Sequence, residues 1–239
     1  MSKTLVVMCA HFTNGALALD CIKDILKTTK NIFLISNNMH TDDSRAAEEM
    51  GVRVFHAEDN LGPSRGCNIG FRAAIKGEYN YVCKIDPDTV FFSNDWLEES
   101  EKIMNKNPGT GILGNVRNCY SIFDKLNSIM DKMGKKLLFN KRNFNHVQGG
   151  FQFIRCSALQ LEGLYSEFDE PVFEDVELSW RFLHNGWDIN NLDGCICFAA
   201  EDYINLERHI IKNTKIYHPI KSLSIKKKIK EYWNSLNCR

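Results

Sequence analysis

The 239-residue chain predicts a three-layer α/β domain in which a mainly parallel sheet lies between two layers of helices. Three observations carry that prediction. Apolar runs rich in β-formers alternate with stretches of helical period through the first half. No internal repeat, low-complexity segment or Pro/Gly/Ser-rich linker interrupts the chain. The length suffices for one sizeable core.

The elements follow in order. "TLVVMCA" (4–10) reads as a strand, and "ALALDCIKDILK" (16–27) as a helix burying Leu19, Ile22, Ile25 and Leu26. "NIFLIS" (31–36) and "VRVFH" (52–56) are the second and third strands, with a short helix at 43–50 between them. A helix over 64–75, a strand over 80–85, the helix "DWLEESEKIMNK" (95–106) and the strand "TGILGNV" (110–116) complete the alternation. The second half reads differently. Residues 118–146 suggest a helix and a basic, turn-prone connection. "VQGGFQFIR" (147–155) is strand-like, and "EDVELSWRFLHNG" (174–186) is a helix ended by Gly186.

Composition narrows the function. Lys plus Arg and Asp plus Glu each total 30, so the chain lacks the basic excess of a nucleic-acid binder. Apolar content of 44% and charged content of 25% are those of a soluble globular protein. No stretch approaches the roughly 20 apolar residues of a membrane span. The polar sequel to the short first strand argues against a signal peptide. Nine cysteines, an odd number without a CxxC pair, read as reduced thiols in a cytoplasm, with structural zinc second.

The chemistry concentrates in "KIDPDTVFF" (84–92), where Asp86 and Asp88 end an apolar strand with only Pro87 between them. Like charges this close need a positive neighbour. A divalent cation that also bridges phosphate oxygens would supply it, and Pro87 stiffens the spacing. By itself, D-x-D is equally a turn in which each Asp bonds a nearby N–H. In α/β sheets, ligands bind beyond the carboxyl ends of the strands, where this pair sits.

The wider pattern resembles the GT-A glycosyltransferases, and within them the family 2-like inverting group. "KIDPDT" resembles their DxD motif, "NLGPSRGCNIGFRAA" (60–74) the segment leading to it, and "LISNNMHTDDS" (34–44) the loop after the second strand. "VQGGFQFIRCSAL" followed by "FDEPVFEDVELSWRFLHNGWDI" resembles the Gly-Gly acceptor strand and the "ED" helix. The matches run in family order from about residue 4 to 190. The resemblance implies a Rossmann-like GT-A sandwich with a mixed, mainly parallel sheet. The catalytic domain is expected over residues 1–215, and the lysine-rich sequence beyond it reads by its own pattern as a basic amphipathic tail over 216–239.

The resemblance implies the site as well. Asp175, second in "ED", would be the general base, with Glu174 and Glu177 as orienting or solvated charges. Asp88 would contact Mn²⁺ or Mg²⁺, and Asp86 would hold ribose or metal. His218 in "KIYHPI" resembles a further metal ligand, though a lone His also serves as a surface or capping residue. Arg65 could reach the nucleotide or remain a solvated charge. Gly62, Gly66 and Gly70 fall four apart, a spacing suited to close helix–sheet packing. Gly149 and Gly150 would let the backbone approach the donor sugar, or mark a bulge. Where the family often carries Asp against the nucleobase, this chain has Ser36, Asn37 and Asn38. Asn37 can offer both a donor and an acceptor, and uracil specificity loses its usual carboxylate.

The implied function is inverting, metal-dependent sugar transfer from a nucleotide-sugar donor, UDP-linked by expectation, to a glycan or lipid-linked hydroxyl. A sugar nucleotidyltransferase is the alternative enzyme, but "HFTNGALA" lacks the Gly-rich basic loop it would want after the first strand. A silent nucleotide-sugar-binding module is the third reading, and it predicts loss of the DxD pair or of the "ED" base. Both are present. In the tail, Ile225, Ile229, Tyr232 and Trp233 share one helical face beside Lys226, Lys227, Lys228 and Lys230. Such a helix either lies on an anionic membrane surface, peripherally and on its cytoplasmic side, or packs on the domain.

Overall fold

β1 (Thr4–Ala10) stands between β2 (Ile32–Asn37) and β4 (Tyr81–Ile85), parallel to both, and β3 (Arg53–Ala57) extends the parallel set beyond β2. On the far side of β4 comes β7 (Asn145–Arg155), antiparallel, then β6 (Thr110–Asn118) and β8 (Asp188–Asn191). The seven-stranded order is β3-β2-β1-β4-β7-β6-β8, and β7 is its single reversed strand. A two-stranded ribbon pairs β5 (Val90–Phe91) with β9 (Cys197–Phe198). This computed structural model describes residues 3–91, 93–118, 145–167, 174–192 and 197–198. Most of the 118–146 segment, His218 and the 216–239 tail lie outside the described residues.

Strand alternation builds the two cores. Val6 and Met8 of β1 point to one face, among Ile22 and Ile25 of α1 (Gly15–Ile25) and Trp96 and Met104 of α4 (Trp96–Lys106). Leu5 and Val7 point to the other. There they meet Phe71 and Ala74 of α3 (Gly62–Lys76), Leu159 of α5 (Cys156–Glu162), and Leu178 and Phe182 of α6 (Glu174–His184). The three-layer, mainly parallel α/β expectation holds. α2 (Thr41–Glu49) begins two residues before the expected 43, with Asp42 and Asp43 in its first turn, where the helix dipole favours acids.

α3 crosses the sheet closely because Gly66 and Gly70 have no side chains. A Cβ on Gly66 would collide with Cys9 Sγ, and one on Gly70 with the γ carbons of Val7. Gly62 serves differently. Its φ of +73° is the left-handed region that glycine tolerates, and a Cβ there would meet nothing within 4 Å. Gly70→Ala is therefore expected to destabilise the domain by about 1–3 kcal/mol through overpacking, read as a lower Tm in thermal unfolding.

Cys9, Cys21, Cys67, Cys83 and Cys156 carry reduced thiols. Burial pushes the Cys156 thiol up to about 12, which keeps it protonated and inert.

Candidate active site

β4 ends at Ile85, and the chain turns at once. Thr89 N–H donates to Asp86 O at 3.0 Å, closing a four-residue turn with Pro87 in its second position, where its fixed φ is suited. The turn is tied down on β7. Asp86 N–H and the Thr89 hydroxyl both donate to Gly150 O, at 2.9 Å each. The turn reading and the ligand-site reading of "DPDT" are thus compatible, since the turn is what presents both carboxylates at the sheet's edge.

Asp86 and Asp88 face a cleft of about 610 Å³ at the carboxyl ends of β1, β2 and β4. Cys9, His11, Asn14, Asn37, Asn60 and Gly62 form its wall, with Asn60 Nδ2 3.4 Å from His11 Nε2. Asn37 is 4% exposed and braces this wall. Its side-chain oxygen accepts Leu61 N–H at 2.7 Å, and its amide donates to Asn60 Oδ1 at 2.9 Å. The donor and acceptor that the sequence suggested for a base edge are therefore both engaged in shaping the loop.

The positive neighbour of Asp86 is Lys84. Two residues apart on β4, they share a face, and Lys84 Nζ donates to Asp86 Oδ1 at 2.5 Å. The Lys84 side chain is 5% exposed, and its ammonium also donates to Gly149 O. Burial would lower its pKa, but the Asp86 carboxylate, helped by Cys67 and Glu174, overrides this and raises it, so Lys84 is charged. The sequence reading missed this residue. Its one local signal is a lysine inside an apolar strand, where Lys is almost never buried unless paired.

Gly149 carries the link onward. Its N–H donates to Asp175 Oδ2 at 2.8 Å, while Val176 N–H donates to Asp175 Oδ1 at 2.8 Å. Lys84 Nζ and Asp175 Oδ2 both lie 3.4 Å from where a Cβ on Gly149 would sit, so a side chain there would pack against both. Asp175 stands in the first turn of α6, a helix end that favours a carboxylate. Burial raises its pKa above the ordinary value, opposed by Lys84 and by the two backbone N–H groups. Glu174 is likewise raised by burial and held back by Lys84. Ser179 fixes the helix against β7 by accepting Val147 N–H at 3.1 Å and donating to Asp175 O at 2.7 Å.

Two other residues occupy settings that sequence reasoning did not anticipate. Arg65 does not line the cleft; its Nε lies 3.4 Å from Glu167 Oε2, and Arg72 pairs with the other oxygen of that carboxylate. Asn68 bonds the same stretch through Tyr165 O at 2.9 Å. Glu177 is neither solvated nor in the cleft. It forms a buried pair with Arg181 at 2.6 Å, and Arg181 also donates to Glu162 O at 2.5 Å and Leu164 O at 2.8 Å. No group of three or more His, Cys, Asp or Glu arranged to hold a metal occurs among the described residues.

Known proteins share this arrangement of strands. A mannosyltransferase from Pyrobaculum calidifontis, solved with GDP-Man and Mn²⁺, superposes with a TM-score of 0.62 at 13% identity over 97% of this chain and 69% of its own. S. aureus TarS 1-349 in complex with UDP-GlcNAc gives 0.57 at 14% identity, over 97% and 71%. Glucosyl-3-phosphoglycerate synthase from Mycobacterium tuberculosis, with Mn²⁺, UDP and its product, gives 0.54 at 13%, over 85% and 75%. No curated protein sequence matches the chain significantly. The sheet order, with its one reversed strand beyond the D-x-D strand, is that of the GT-A fold. The family model for glycosyl transferase family 2 matches residues 5–161, and the chain belongs to that family of glycosyl-transferring enzymes.

Proposed function

We propose that the protein is an inverting transferase that moves a sugar from a nucleotide donor, UDP-linked, to a hydroxyl of a glycan or a lipid-linked glycan. The observation that supports this reading is the junction at Gly149, whose carbonyl accepts from the ammonium that also binds Asp86 and whose N–H donates to Asp175. Asp175 would accept the proton of the acceptor hydroxyl as that oxygen bonds the anomeric carbon. The bond from that carbon to the diphosphate breaks in the same displacement, its electron pair staying on the phosphate oxygen. Each Asp175 oxygen already takes one backbone N–H, which aims the carboxylate and leaves lone pairs for the proton.

Asp86 and Asp88 fit a hard divalent cation, Mn²⁺ or Mg²⁺, which takes one or two carboxylates and completes its shell with substrate phosphates. Asp88 would contact the ion and Asp86 the ribose or the ion, with His218 as a further ligand. Bound there, the cation would neutralise charge gathering on the departing diphosphate. The Mn²⁺ and nucleotide sugars named for structures of like fold support this assignment. Gly150 would keep the backbone beside the donor open, while Asn37 shapes the base end. Arg65, held by Glu167, would reach the donor only by exchanging that partner.

A panel of nucleotide sugars with Mn²⁺ tests the reading through nucleotide release. Turnover with a UDP-sugar, lost on EDTA treatment and restored by Mn²⁺, is expected; no metal-dependent binding or release with any donor would contradict it. The pH profile makes a separate prediction. A base with a raised pKa loses its ionised form as pH falls, so kcat/KM should drop through an acidic limb above the ordinary Asp value of about 4. Glu174 is raised beside it, so the limb belongs to the pair. A profile flat down to pH ~4 would contradict the assignment.

A further inference from the structure

We propose that Lys84 is a positioning residue of the transfer reaction: its buried ammonium joins the Asp86 carboxylate to the carbonyl of Gly149, the residue whose N–H holds Asp175. This rests on the reading of Asp175 as the base.

The fold gives Lys84 little reason to exist otherwise. β4 is a central strand whose residues are all buried, and an apolar side chain of similar length would normally stabilise such a site at least as well as an ion pair. Nor is the ammonium needed to hold β4 to β7, because an unbroken register from Tyr81↔Arg155 to Ile85↔Phe151 already does so. What Lys84 adds lies at the strand ends. It neutralises Asp86, so that carboxylate can stand close to Asp88 without forcing the turn apart. It also donates to the Gly149 carbonyl, while the N–H of the same residue, in the preceding peptide unit, donates to Asp175 Oδ2.

Asp175 is surrounded by groups that oppose its charge. Asp86 on the β4 turn opposes it, and Glu174 beside it on α6 feels it as a like charge, while the buried Tyr165 from the segment after α5 stays a neutral phenol. Lys84 is the cation that acts on it most strongly. A neutral residue at position 84 would leave burial and the neighbouring carboxylates opposed only by the two backbone N–H groups, and Asp175 would bind its proton at higher pH. Lysine geometry is also specific. A compact ammonium can serve two acceptors in a tight space, whereas the broader guanidinium of Arg carries the same charge in a different shape.

The test compares wild type with Lys84→Met, Lys84→Gln, Lys84→Arg and Asp175→Asn on the best donor–acceptor pair. Two readouts are taken: kcat/KM against pH, and the Asp175 carboxyl followed by ¹³C NMR titration in the metal-free protein. Both neutral variants are expected to move the acidic limb and the NMR midpoint upward by about one pH unit or more. Lys84→Arg should leave both near their wild-type positions, even where kcat falls. Two neutral replacements are used so that a folding failure of one leaves the other to decide. An inactive Asp175→Asn with unmoved limb and midpoint in the neutral variants would overturn the role of Lys84 alone. An active Asp175→Asn would overturn the base reading itself, and this inference with it.

Discussion

Asp175→Asn should lower kcat by about 10²–10⁴-fold while leaving metal-dependent nucleotide binding close to wild type. The amide oxygen can still accept Gly149 N–H, so the link to the Gly-Gly strand survives, while Val176 N–H loses its side-chain acceptor. What is lost is the ability to take a proton. The donor cleft is formed by β1, the loop after β2 and the β4 turn, and Asp175 is not among its lining residues. Binding and chemistry should therefore separate cleanly in this variant, checked by single-turnover kinetics beside calorimetric titration of the nucleotide. Equal losses in both would mean that Asp175 supports the donor and that another group takes the proton.

Arg181→Met carries the largest expected cost to stability, about 3–5 kcal/mol. Its guanidinium holds the Glu177 carboxylate, whose side chain is only 6% exposed, and also satisfies the last carbonyls around the end of α5. Removing Arg181 leaves a buried charge alone. For a domain of this size the loss corresponds to a fall in Tm of roughly 6–20 °C. The double variant Glu177→Leu/Arg181→Met should recover much of it, because replacing both partners removes the uncompensated charge. A double variant no more stable than the single would show that the two carbonyl contacts, rather than the ion pair, account for the loss. Neither variant should move the acidic limb of kcat/KM, since the pair faces α5 and not the Gly149 junction.

Much of the fold was legible in the chain because its signals are local. Runs such as "TLVVMCA" and "NIFLIS" are long and apolar enough to be strands on any register, and the helices between them announce themselves by period. The packing role of Gly66 and Gly70 was legible for the same reason. The seven-residue helix α5 was not, being barely two turns long. The polar strand "DINN" of β8 carries no alternation, and it is a strand because β6 offers it an edge. Which strand runs backwards is likewise a property of the whole sheet.

The site divides in the same way. Asp86, Asp88, Asp175 and the Gly-Gly pair stood out as residue types at suggestive positions; Asp86 and Asp88 line the cleft, and Lys84 and Gly149 link Asp86 to Asp175. Lys84 did not stand out, because its meaning depends on a carbonyl 65 residues away. Arg65 shows the converse. A basic residue at the start of a helix near the cleft looks available until Glu167, far along the chain, is seen to hold it. Asn37 keeps its place on the cleft wall, but two neighbouring groups already claim its polar atoms.

The claim beneath the whole account is that one acid side chain, across a single glycine from the donor carboxylates, primes an incoming alcohol for direct displacement at the sugar. The anomeric configuration of the product, read by NMR after transfer from an α-linked nucleotide sugar, tests this most directly. A β-linked product is predicted. An α-linked product would require two displacements or a same-face attack, and would contradict it.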